Sequence, residues 1–156
     1  MSERKKLVEK LVKRGLVLSL IVLFIAFIWL GVWLSEPSRV DMNHRRAVMS
    51  IANLNVAEKN YAAGHLNVGY ACKLSDLGEQ GMVDGVVASG TKAGYHFEIQ
   101  CSALDGSQKI TSYTIIAVPT VAGTTGKYAF CADQSGAIWY SGNGSVADCL
   151  SKHKPV

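Results

Sequence analysis

Apolar and polar positions fall into three successive patterns along the chain. Residues 16–34, LVLSLIVLFIAFIWLGVWL, carry no charge, and only Ser19 and Gly31 among them are not strongly apolar. At 1.5 Å of rise per residue a helix of this length covers about 28 Å, close to the thickness of a bilayer's hydrocarbon core. A helix packed in a water-soluble core keeps a polar face, and this run has none. The pattern predicts a transmembrane helix. The run is longer than the apolar stretch of a secretory signal, and its exit, WLSEPS at 33–38, has no small-x-small cleavage pattern, so retention is expected. Trp29 and Trp33, near its outer end, fit an interfacial aromatic belt.

The second pattern has the period of an amphipathic helix and runs from about 38 to 64. Ala47, Ile51, Leu54, Ala57 and Tyr61 follow one another at spacings of four, three, three and four, while Arg45, Arg46, Asn53, Lys59 and Asn60 fall on other faces. Such a stripe is expected to cover the domain's own sheet. Pro37 disfavours helix at the preceding residue and predicts a kink or break there, and Gly64 is a plausible stop. Residues 65–94 then hold six glycines and read as loop, with SDL at 75–77 able to cap one short turn. Residues 82–88 fit helix or strand equally well.

The third pattern is alternation. In YHFEIQC at 95–101, Tyr95, Phe97, Ile99 and Cys101 share one face, which turns His96 outward. SYTIIAV at 112–118 is β-branched and aromatic and ends at Pro119; KYAFCA at 127–132 and AIWY at 137–140 flank the turn signal DQSG at 133–136. Residues 141–156 are polar and turn-rich, tied down through Cys149. The order predicts an α+β fold: a long N-terminal helix, part transmembrane and part amphipathic, packed on an antiparallel sheet of about four strands. Trp139 reads as a core or sheet-face residue.

Charge sets the orientation. Arg4, Lys5, Lys6, Lys10, Lys13 and Arg14 precede the apolar run with only Glu3 and Glu9, so the whole net charge of +4 sits there, and the rest of the chain sums to zero. The positive-inside rule puts 1–15 in the cytoplasm as a basic tail, 16–34 in the membrane and 35–156 outside as the folded domain. Orientation accounts for the basic tail, and no basic patch in the outer domain points to nucleic acid. Membrane lipid is the partner this predicts.

Cys72, Cys101, Cys131 and Cys149 all fall on the outer side, which fits two disulfides in an exported domain. Three pairings are open to four cysteines; Cys72–Cys101 and Cys131–Cys149 close local loops and are the expected pair. No C-x-x-C or H-x₃-H spacing points to zinc, and no cofactor is implied. His44, His65, His96 and His153 fall in no recognised catalytic pattern, and G-x-S-x-G and H-E-x-x-H are absent, so no enzyme is expected. His44 is expected near the membrane surface. GTTG at 123–126 reads as a strand connection, since no P-loop lysine pattern follows it. Asn143-Gly-Ser145 matches a glycosylation sequon, which matters only in a host with that machinery.

Several of these residues together resemble a type IV pilin or a type II secretion pseudopilin. The basic tail ends Lys13-Arg14-Gly15 directly before the apolar run, and prepilin peptidase cuts such precursors after the glycine, here between Gly15 and Leu16. Pro37 stands 22 residues after Gly15, in register with the family's helix-bending proline. SIANLNVAE at 50–58 with Tyr61, ASGTKAGY at 88–95, GTTG at 123–126 and FCADQSG at 130–136 are similar, in the same order, to segments of bacterial pilin-like proteins. Leu16 and Leu20 depart from the family, which has Phe first and Glu fifth in the mature chain; that Glu is thought to pair with a neighbour's N-terminal amine. The resemblance implies a structural subunit, including as a minor component, in a bacterial inner membrane with its outer domain periplasmic or extracellular. It implies other pilin-like subunits, an assembly platform and prepilin peptidase as partners. The departures favour an alternative, an uncleaved single-pass protein whose outer domain is an envelope interaction module.

Overall fold

The computed structural model describes residues 2–34, 38–104, 106, 108–152 and 154–156. Two compact units divide at 37 and 38. The first is one helix, α1 (Ser2–Leu34), which runs without interruption through Gly15 and Leu16. Its described side chains from Arg14 to Leu30 are all exposed. Among the described residues no helix is long and apolar enough to cross a membrane. The described side chains of this helix end at Leu30, short of the end of the uncharged run at Leu34. Pro37, the expected kink, lies outside the described residues.

The second unit is an α+β domain. It opens with α2 (Arg39–Gly64), whose N-cap is Ser38: the hydroxyl accepts the Asp41 N–H at 3.1 Å and donates to the Asp41 carboxylate at 2.7 Å. The helix ends as the His65 N–H bonds back to the Tyr61 carbonyl. Two short helices follow, α3 (Leu74–Glu79) and α4 (Gly85–Ala88). The ambiguous stretch 82–88 thus contains a helix, started by the Asp84 carboxylate accepting from the N–H groups of Val86 and Val87. Ser75 does not cap α3, whose N-cap is Lys73; its hydroxyl bonds Asp76 instead.

Among the described residues the sheet has six strands in sequence order, every pair antiparallel: β1 (Thr91–Lys92), β2 (Tyr95–Leu104), β3 (Ile110–Pro119), β4 (Ala129–Asp133), β5 (Ile138–Ser141) and β6 (Lys154–Pro155). The four expected strands are present. The expected count of about four is corrected by β1 and β6, which have two residues each and carry no alternation to read. Residues 141–156 are also more regular than expected, since they include α5 (Val146–Lys152).

One sheet face carries Tyr95, Phe97, Ile99, Tyr113, Ile115, Ala117, Phe130 and Ala132, and α2 lays Ala47, Ile51, Leu54 and Ala57 on it; all are buried. Fully burying one such large side chain contributes about 1.5–3 kcal/mol. Registered pairs place Ile116, Cys131 and Trp139 side by side on the other face, where Cys131 is bonded to Cys149 of α5. Ala129 through Ala132 are therefore buried without alternation, because helices cover both faces of β4. Both expected disulfides are present, Cys72–Cys101 with Cα atoms 5.6 Å apart and Cys131–Cys149 at 6.2 Å.

Candidate functional site

The N-terminal half of α2 meets the loop between β3 and β4 through polar contacts at the end of the core. Asn43 Nδ2 donates to the Thr125 carbonyl at 2.9 Å, and the Lys127 N–H donates to His44 Nε2 at 3.0 Å. The Tyr95 hydroxyl donates to the Tyr128 carbonyl at 3.1 Å. Gly126 packs so closely on Tyr95 that a side chain there would overlap the phenol, and a side chain at Gly94 would run into Thr125. The two motifs ASGTKAGY and GTTG are thus one interlocked corner.

Beside this corner lies an open groove of about 700 Å³, lined by His44, Arg45, Val48 and Met49 of α2 and by Tyr128, Phe130, Tyr140 and the C-terminal Val156. His44 packs among Tyr95, Tyr128 and Phe130, with the Tyr128 ring centroid 4.7 Å away. Desolvation holds its pKa below the ordinary histidine value; nearby Asp41 opposes that and Lys127 adds to it. Its lone pair on Nε2 serves the Lys127 N–H, so the neutral ring is the form the fold uses.

A second polar group lies deep under the middle of α2. Glu58 is wholly buried, and its Oε2 accepts the Ala71 N–H at 2.8 Å. Asn55 Oδ1 accepts from the Tyr113 hydroxyl at 2.9 Å. Glu58 Oε1 and Asn55 Nδ2 have no hydrogen-bond partner among the described residues. Burial pushes the Glu58 carboxyl up to about 7; the Ala71 bond opposes the shift and the Asp76 charge adds to it. Burial also raises the Tyr113 phenol, and the Glu58 charge raises it further.

The remaining expected site residues are scattered. Gly15 and Leu16 are exposed within α1, with nothing within 4 Å of the Gly15 Cβ position. His65 Nδ1 donates to the Tyr61 carbonyl, and its ring stacks on Tyr61 at 4.0 Å. His96 is exposed on β2, as alternation requires. His153 lies outside the described residues. Among the described residues no group of three His, Cys, Asp or Glu side chains could hold a metal ion. The four cysteines form two separate staples, one beside the Glu58 anchor and one under α5.

Sequence reading missed the buried pair and the groove. The pair did leave a signal: Asn55 stands four residues after Ile51 and Glu58 four after Leu54, on the apolar stripe itself. The groove left none, because Tyr128, Tyr140 and Val156 come from separate segments of the chain. No protein family, no curated protein and no solved structure matches this chain.

Proposed function

We propose that this chain is a membrane-anchored, pilin-like (pseudopilin-like) structural subunit of a type IV pilus or type II secretion-type filament, including as a minor component. The observation that carries the proposal is the exposed apolar face of α1, continuous with the uncharged run 16–34, preceding a disulfide-stapled unit whose own helix α2 covers an antiparallel sheet. An apolar helix of that length needs lipid or other apolar helices around it. Before assembly the bilayer meets that need; in a filament, packing of the same helices does. The outer unit forms the skin, and its two disulfides keep it folded outside the cytoplasm.

A second reading rests on Leu16 and Leu20. A carboxylate in lipid is stable only when paired, and here none is present to pair with a neighbour's N-terminal amine. In that reading the tail is never removed and the outer unit is a fixed interaction module. Shearing cells and probing the released fraction tests the first reading. The chain is expected in the sheared filament fraction; recovery only in the membrane pellet supports the second reading instead.

A further inference from the structure

We infer that the face of α2 turned away from the sheet docks an amphipathic helix of another protein, which sets apolar heptad positions against Met42, Met49 and Val56 and carboxylates against Arg45 and Arg46. Only the second unit is involved, whatever surrounds residues 16–34.

Three observations carry it. First, α2 bears a second apolar stripe besides the buried one. Met42, Met49, Val56 and Ala63 recur at strict spacings of seven, and all four are exposed, Met49 at 66% and Val56 at 59%. Met49 stands two residues from both Ala47 and Ile51, and Val56 two from Leu54, so each is turned about 160° from those core residues. Single exposed apolar residues need no explanation, but a period of seven kept along a helix is the one that a second helix reads. Second, the stripe has apolar surface on both sides. Met49 borders the groove toward Tyr128 and Tyr140, and Val56 borders a hollow of about 240 Å³ toward Met82, Val83 and Val87. A second helix laid along α2 therefore meets a valley, the shape in which amphipathic helices are bound. Third, charge selects the occupant. The exposed charged residues of α2 are Arg39, Arg45, Arg46 and Lys59 against Asp41, and its one other carboxylate, Glu58, is buried. Between the apolar positions the seam reads Arg45, Ala52 and Lys59. A parallel second copy of α2 would set Arg45 against Arg45 and Lys59 against Lys59, and an antiparallel one Arg45 against Lys59; like charges on a seam reject such a partner. Residues 16–34 offer no carboxylate, and 1–15 carry a surplus of four positive charges. The complement is an apolar seam flanked by Asp or Glu, which neither α1 nor a second α2 supplies.

The test uses the full chain in phosphatidylcholine nanodiscs. Two variants carry a photo-crosslinker, Met49→p-benzoylphenylalanine and, for comparison, Leu150→p-benzoylphenylalanine; Leu150 is 40% exposed on α5, at the opposite face of the sheet. The probes are two synthetic helices of four heptads with Leu at a and d, one with Glu and the other with Lys at e and g. After illumination, intact mass reads which probe is attached. Several-fold more Glu probe than Lys probe is expected at position 49, and several-fold more Glu probe there than at 150. Arg45→Glu with Arg46→Glu is expected to reverse the preference at 49. Equal Glu-probe adducts at the two positions, no probe attached at 49, a Glu preference that survives the charge reversal, or adducts mainly to a second copy of the chain would each overturn the inference. None of these outcomes turns on cleavage or filament assembly, so failure here and failure of the function proposed above are told apart.

Discussion

The backbone N–H of Ala71 donates to Glu58 Oε2 at 2.8 Å, and the carboxylate that accepts it is closed to solvent. Ala71 is the residue before Cys72, so one helix side chain pins the start of the stapled loop to α2. Burial pushes this carboxyl from its ordinary 4.5 up to about 7, which means the folded state binds a proton that the unfolded chain has released.

The sign of the pH dependence follows. The raised pKa contributes stability that is fully present below about pH 4.5 and is lost as pH rises to about 7, an effect on the order of 3 kcal/mol. Glu58→Gln keeps an oxygen for the Ala71 N–H and has no proton to lose. Thermal melts of the detergent-solubilised chain between pH 4.5 and 8 are expected to lose this component in the variant. An identical slope in both proteins would show that Glu58 does not titrate in that window.

The Gly126 corner predicts a size limit. Gly126→Ala would push a methyl into the Tyr95 phenol and is expected to cost about 1–3 kcal/mol, read as a lower melting temperature. Gly85→Ala has open space at its Cβ and serves as the comparison, expected to be neutral or slightly stabilising. Equal melting of the two variants would contradict the close packing of the two loops.

The apolar stripe predicts which helix positions accept charge. Ile51 is fully buried and Val56, on the same helix, is 59% exposed. Ile51→Asp is expected to unfold the second unit, since an unpaired buried charge costs more than about 3 kcal/mol, while Val56→Asp leaves it folded. Far-ultraviolet and near-ultraviolet circular dichroism of the two variants distinguishes them. A folded Ile51→Asp protein would remove α2 from the core.

Reduction tests the staples. Each disulfide in a small domain typically contributes about 2–4 kcal/mol, so reductant is expected to lower the melting temperature markedly. Cys72→Ser with Cys101→Ser is expected to expose the loop that Glu58 anchors, read as faster amide exchange at Ala71. Unchanged melting in reductant would count against both bridges.

Much of this fold was legible because its periods are clean. The four-three-three-four stripe from Ala47 to Tyr61 leads to α2, and the alternation from Tyr95 to Cys101 leads to the buried face of β2. The turn at DQSG was legible through Asp133, whose carboxylate accepts the Ser135 N–H at 2.8 Å. The short strands β1 and β6 were not legible, because two-residue pairings are set by neighbouring strands and not by local pattern. The burial of Glu58 was hidden by its charge: its position fits the stripe, and only the tertiary partner Ala71 makes it tolerable there. The groove was hidden because it exists only where four separate segments of the chain meet.

The most direct measurement is the intact mass and N-terminal residue of the chain extracted from its native membrane. A chain beginning at Leu16 is predicted by the pilin-like account, since cleavage after Gly15 frees the apolar helix from its basic tail for assembly. A chain that keeps the tail, beginning at Met1 or Ser2, would contradict that account and leave the outer unit as a module held permanently on a membrane anchor.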